Sequence, residues 1–423
     1  VAEIIKTSFE RRDKERNRRI QELEASIVRG AKDQATRLCR LRKAEAIKRL
    51  FDKLRYLRNS KARQGITRIK IPVHQDADPR SCVSWKQIDV PTEVLLHLQR
   101  RNREHFGQAQ GTPFTIPPLK DDLGFRGSGD ASTSILHGTY DTTRLNQHTA
   151  LLVQHLQQTD AMAERDSTPT ITEEDYISKL AVWKESTTTS PSGLHLGHYK
   201  ALTARHQYTN VEHEAEEETE EMRKQTEWNH MQSCMLDLHV RMLNYALERG
   251  YSYQRWQTVI NTILFKDANN VRIHRSRVIH IYEADCNLTL GIKWRDALYK
   301  AEALKELNVG QYGSRPNRNT VDPVLIEELQ FELSRASRKS FVQTNYDAMS
   351  CYDRIIPNLA MLVSRKFGVS QAITEMNAAT LEHAEYRIRT EMGVAETGYV
   401  HTNSWPIYGT GQGSGNSPMI WCF

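Results

Sequence analysis

The residues best suited to do chemistry lie in FVQTNYDAMSCYDRI (341–355). A β-prone run delivers Asp347 at its end, Tyr352 follows five residues later, and Asp353 and Arg354 come directly after. A carboxylate at the end of a strand has a fixed direction and suits Mg²⁺, which prefers hard oxygen ligands. Two such ions about 4 Å apart activate a hydroxyl and stabilise the leaving oxygen of an in-line displacement. An aromatic ring five residues on can lie beneath the sugar of an incoming nucleotide and exclude a 2′-hydroxyl. Taken alone, Asp347 also reads as a helix N-cap and Tyr352 as an ordinary core aromatic. Asp353 and Arg354 read as structural, paired at the strand-to-helix turn.

A second segment, GTGQGSGNSP (409–418), begins some sixty residues downstream. Four glycines in seven positions let a backbone approach a base pair or a phosphate closely. Gln412 adds an amide that both donates and accepts, and Ser417-Pro418 restarts a helix. No GK[ST] follows, so a P-loop is excluded; a plain surface loop is the remaining alternative. PSGLHLGHYKAL (191–202) mimics the HIGH-type signature of class I aminoacyl-tRNA synthetases, but polar AVWKESTTTS precedes it instead of a buried strand. The ASRKS run at 336–340 is a poor KMSKS partner, and no Rossmann alternation surrounds either. His195 and His198 form a lone HxxH without a third ligand, a pattern that is usually structural.

These residues need elements to hold them. From Ile171 onward the pattern is that of a compact α+β domain. Helices are expected at 228–249 (ending at Gly250), 285–307, 322–337, 357–366 and 370–383. Strands are expected at 258–265, 277–282 and 340–348, with alternating segments YRIRT and GYVHT. VEHEAEEETEEMRKQ (211–225) reads as an exposed acidic insert. Upstream, 64–165 carries many turn formers and reads as a connector, with a helix around 91–105, disorder near 106–135 and a helix near 138–160. Residues 1–63 read as a basic helical, coiled-coil-like arm, with apolar residues at three- and four-residue steps and an Arg/Lys-rich opposite face.

Charge is uneven along the chain. The net formal charge of +6 divides into +11 for residues 1–63, where 20 Lys+Arg face 9 Asp+Glu, and −5 for the remainder. A basic arm before a near-neutral body points to a polyanionic partner, nucleic acid foremost. No apolar run approaches the roughly 20 residues of a membrane span, and no secretory signal is visible. The six cysteines are scattered, with no CxxC pair and no histidines at zinc spacing. An intracellular protein with reduced thiols, nuclear or cytoplasmic, is the expectation.

In order and content the motif segments resemble the reverse transcriptases of non-LTR (LINE-like) retrotransposons. DAMSCYDRI is similar to their motif A, which implies metal binding by Asp347 and a steric gate at Tyr352. QGSGNSP is similar to motif B, which implies that Gln412 and Gly413 lie at the nascent pair and that Ser417 and Pro418 contact nucleic acid. GQYGSRPNRNTVD (310–322) resembles motif 2, with Ser314 in place of the usual aromatic, and implies nucleic-acid contacts by Arg315 and Arg318. RWQTVINTILFKDANNVRIHRSRVIHIYEADCN resembles the fingers segment, where Lys266 and Arg277 match the cations that grip the incoming triphosphate. The SPSG loop and the helix after it would also belong to the fingers, with His198, Tyr199 or Lys200 touching template backbone.

The resemblance covers about 170–423. It implies a right-hand polymerase, fingers and partial palm in 166–423, with an antiparallel sheet and packed helices. The implied partners are an RNA template, a DNA primer and deoxynucleoside triphosphates, without membrane, and the implied cofactor is a pair of Mg²⁺ ions. The family's motif C, an aromatic-x-Asp-Asp hairpin, is not found; the sequence's Asp-Asp pair, Asp121-Asp122, lies upstream in a loop-like setting. The chain is therefore expected to be a fragment ending after motif B, with the second metal-ligand set missing and no polymerisation by itself. A non-catalytic nucleic-acid-binding remnant of a degenerate element is the alternative, and an intron-encoded maturase or telomerase-like relative a third reading.

Overall fold

The computed structural model describes residues 66–73, 82–164, 168–184, 190–194, 196–203, 220–267, 270–319, 321–344 and 350–423, with Arg18 and Gln21. The rest of the basic arm, His195, residues 211–219 of the acidic insert and Asp347 lie outside the described residues. The chain divides into two units, Val1–Gln64 and Gly65–Phe423, and the second carries both sheets and the candidate site.

Two short strands, β1 (Ile69–Pro72) and β2 (Trp85–Ile88), form an antiparallel pair. Helix α1 (Pro91–Phe106) starts on a proline that pre-sets its φ and lacks only an N–H the helix would not use. Its buried residues Val94, Leu98, Asn102 and Phe106 recur every fourth position, which makes one continuous face. Short helices α2 (Leu119–Leu123), α3 (Asp130–Leu136) and α4 (Gln147–His155) follow. Phe114, Leu119, Leu123, Ile135, Leu136, Val153 and Leu156 close a core of their own. The segment expected to be a partly disordered connector is thus folded, and the 138–160 helix is shorter than expected. Its turn formers mark the bends between small helices, and its apolar residues find partners far away, including Leu362.

Helix α5 (Glu173–Val182) opens with a capping box between Thr172 and Asp175. Then come α6 (Leu196–Thr203), the long α7 (Glu220–Arg249), β3 (Thr258–Phe265), β4 (Ser276–Ile281) and α8 (Ala284–Ala303). Gly250 ends α7 with φ +64°. Helices α5 to α8 pack with three later ones around the fully buried Trp256 and Trp294. The indole N–H of Trp294 donates to Ser364 Oγ at 2.9 Å, so that burial leaves no unmade bond. Each such side chain contributes roughly 1.5–3 kcal/mol by leaving water.

Helix α9 (Val321–Ala336) has no buried residue. The expected strand at 340–348 is not formed in its described part: residues 340–344 have no strand pairing and stay exposed. A β-prone run becomes a strand only where a neighbour accepts its hydrogen bonds. After the single turn α10 (Cys351–Arg354) come α11 (Pro357–Lys366), α12 (Gln371–Glu382), β5 (Glu385–Thr390), β6 (Gly393–Val394), β7 (Tyr399–Val400) and α13 (Ser417–Cys422).

The larger sheet runs β4-β3-β5-β6, with β7 also paired to β5. β3 is antiparallel to β4 but parallel to β5, so the fold is mixed α/β, and its sheet is mixed where an antiparallel one was expected. Among the described residues no helix is long and apolar enough to cross a membrane.

Candidate functional site

The structure brings the Tyr352 turn and the glycine-laced loop into direct contact. Ser350 adopts a left-handed conformation and turns the chain into α10. The carbonyls at the two ends of that turn then face the loop: Thr410 N–H donates to Tyr352 O at 3.0 Å, and Gly409 N–H to Ile355 O at 2.8 Å. The half-buried Tyr352 ring meets Trp421 of α13 edge-on at 6.5 Å. Asp353 and Arg354 make structural contacts, but with α1 and the segment after it and not with each other. Asp353 Oδ2 lies 2.9 Å from His105 Nε2, and Arg354 donates to Gln108.

From there the loop crosses to the free edge of β4. His280 N–H donates to Gln412 O at 2.7 Å, and Asn287 Nδ2 donates to Gly413 O at 3.1 Å. Gly413 has φ +122°, and a Cβ there would overlap the His280 carbonyl. Gly413 is exposed and the Gln412 side chain half-exposed, on the outer side of this clamp. Ser417 does not reach the surface. It is buried, and its hydroxyl bonds to the loop's own carbonyls at Thr410 (3.0 Å) and Gly411 (2.9 Å). The expected nucleic-acid contact at Ser417 is replaced by closure of the loop, while Pro418 sits half-buried in the first turn of α13.

Lys266 and Arg277 share one end of the β3–β4 hairpin. Arg277 lies opposite Leu264, and Lys266 N–H donates to Arg275 O two register steps further on. Cross-strand partners share a face, so Arg277 projects from the same face as Leu264, and Lys266, Arg275 and Arg277 are all exposed. Arg272 at the hairpin's connection stacks its guanidinium 4.7 Å from the Trp85 ring, which in turn stacks on His274 at 5.2 Å.

The two arginines of the 310–322 segment differ. Arg315 is buried: it grips Glu302 through Nε and Nη2 at 2.7 and 2.8 Å and donates through Nη1 to two carbonyls. That staple leaves no fork for a phosphate, against the sequence expectation. Arg318 is exposed and lies 5.4 Å over the Tyr312 ring. If the chain binds nucleic acid as its sequence suggests, Arg318→Ala is expected to weaken that binding a few-fold and flatten its log–log salt slope by about 1 with stability unchanged. Arg315→Ala is expected instead to cost about 1–2 kcal/mol in denaturant unfolding, through the lost hydrogen bonds to Glu302 and to two carbonyls, because Glu302 keeps access to water. A salt slope indifferent to Arg318 would remove that residue from the interface.

Several positions went unread in the sequence. His280 is buried among Phe106, Tyr282 and Tyr386, and neither ring nitrogen has a partner. Its inward place in RVIHIY was the available signal, since a histidine on the buried phase of a strand is unusual. Burial pushes its pKa down to about 4, with the Asp353 carboxylate opposing. A base depressed from about 6.5 stays neutral in the fold while the unfolded chain protonates. Stability is then full above about pH 6.5, falls between pH 6.5 and 4, and loses up to about 3 kcal/mol in all. His280→Phe should flatten that part of the curve in urea titrations; an unchanged slope would rule the assignment out.

The synthetase-like segment is also structural. Ser192 donates through its N–H (2.7 Å) and hydroxyl (3.0 Å) to Glu283, which precedes α8. Tyr199 is buried and the Lys200 ammonium donates to the Trp183 carbonyl, so of the three suggested template contacts His198 alone is exposed.

Comparison with protein-family models and with curated proteins finds no match. Among the described residues no group of three or more His, Cys, Asp and Glu could hold a metal ion. Asp122 is bound up in contacts with Tyr140 and Arg144. Asp347, the metal ligand that the sequence points to, lies outside the described residues. A cavity of about 570 Å³ adjoins the site, walled by residues on both sides of the Tyr352–Gly409 contact. Its charged lining, Lys120 with Asp121 and Glu382, carries an excess of acid that disfavours a triphosphate.

Proposed function

We propose that the chain is the nucleotide- and template-binding part of an RNA-directed DNA polymerase of the non-LTR retrotransposon kind. The observation that supports this is the backbone pairing of the Tyr352 turn with Gly409–Thr410, which joins two segments singled out independently for the same nucleotide. On this reading Tyr352 screens the sugar, the Gln412–Gly413 corner meets the nascent pair, and the exposed cations of the β3–β4 hairpin attract the triphosphate. Lys offers a point charge and Arg a two-pronged donor for that task. The metal role remains with Asp347 and with carboxylates beyond the described set.

Fluorescence anisotropy with a labelled RNA–DNA primer–template tests the reading. Binding is expected to fall steeply with salt, and an azido-dNTP is expected to photo-crosslink to the peptide bearing Lys266 and Arg277. The Lys266→Ala/Arg277→Ala pair should abolish crosslinking while the fold persists. No primer extension is expected from these 423 residues, which lack the aromatic-x-Asp-Asp pair. Absence of both template binding and crosslinking would sink the proposal; binding without any crosslink would favour the non-catalytic remnant.

A further inference from the structure

Helix α7 carries two apolar faces. One is buried through Leu236, Val240, Leu243, Ala246 and Leu247. The other is a stripe of Trp228, Met231, Met235, Leu238, Met242 and Tyr245, each between 43 and 61% exposed. The stripe's steps are three and four residues in strict alternation, the spacing of a coiled-coil seam and not of scattered surface hydrophobics.

We propose that this stripe is the interface with a second copy of the chain, packed antiparallel across a two-fold axis between Met235 and Leu238. The sequence of the stripe is self-complementary in that arrangement. Met235 meets Leu238 of the other copy, Met231 meets Met242, and the two aromatic ends, Trp228 and Tyr245, meet each other. Every residue that opens a three-residue step then faces one that closes such a step, as antiparallel coiled coils require, and the interface is isologous. The six side chains expose on the order of 600 Å² per copy, near the ~800 Å² per partner of a standard interface. Methionine and aromatics are the residue types enriched at the centres of such interfaces.

Sedimentation velocity on the full chain decides it. A dimer is expected at micromolar concentration. Met235→Glu and Leu238→Lys each place charges in the seam and should weaken self-association on the order of 100-fold or more. Mixing the two variants should restore the dimer, because the introduced carboxylate of one copy then faces the introduced ammonium of the other while the second central pair stays apolar. In a parallel pairing position 235 faces 235, so mixing would rescue nothing. A wild-type monomer, a dimer indifferent to Met235→Glu, or failure of the mixture to reassociate overturns the proposal.

Discussion

Replacing Arg255 with Met is expected to lower the unfolding free energy by about 3–5 kcal/mol, because it strands two buried carboxylates. The side chains of Glu283 and Asp285 are fully buried beside one guanidinium, which reaches Asp285 through both terminal nitrogens and Glu283 at 3.4 Å. Asp285 keeps two further donors, Trp256 Nε1 at 3.1 Å and Cys286 N–H at 2.8 Å, and Glu283 keeps Ser192. Those neutral donors do not replace the charge. Arg255 is about a third exposed, so its attraction is partly screened, and the loss comes chiefly from the carboxylates left behind. Burial already raises the Glu283 pKa. An acid with a raised pKa holds its proton in the fold at pH values where the unfolded chain has released it, so stability falls as pH rises through that interval. Without Arg255 the pKa rises further, and the deficit should be larger at pH 7 than at pH 4.5. Urea unfolding at both pH values checks this; a loss below about 1 kcal/mol at pH 7 would mean that the cluster is open to water.

Gly411→Ala is expected to be comparably severe. Gly411 has φ +83°, where an L-residue costs roughly 1–2 kcal/mol. A Cβ there would also overlap His280 Nδ1 and Tyr282 Oη, both on buried rings. The His280 ring is held by Phe106 and Tyr386 and has nowhere to move, so overpacking adds a further 1–3 kcal/mol or so. The loop would lift from β4, carrying away the Gln412 carbonyl that His280 N–H reaches. On the proposed function, primer–template affinity should then fall at least tenfold. Gly393→Ala is the control: its φ is also positive, but no atom lies within 4 Å of the added carbon, so the strain term alone applies. Equal losses for the two variants would show that overlap at the loop contributes nothing.

Much of the framework was legible in the sequence because local patterns fix it. The β3 and β4 runs, the ends of α11 and α12, and the stop at Gly250 follow from alternation, caps and glycine. Partnership was not legible. Arg315 and Ser417 have the residue types of nucleic-acid contacts, yet Glu302 and the loop's own carbonyls engage them, and neither follows from spacing. The 106–135 region looked disordered because its turn formers are dense, while the residues that bury Phe114 and Leu123 lie far along the chain. His280 and the Arg255 cluster were missed for the same reason: burial is a tertiary property.

The parallel pairing of β3 with β5 joins Thr258 to Glu385 and leaves everything between them inside one closed loop. That loop holds α8, the Tyr352 turn and both arginines of the 310–322 segment. Non-local closure of this kind slows folding, since chain entropy is lost before the contacts that reward it form. During synthesis β3 and β4 can zip as a hairpin at once, but β3's other edge stays open until β5 emerges. In that interval the nascent chain presents an apolar strand edge, and assembly of the Gln412–Gly413 corner is tied to one late event.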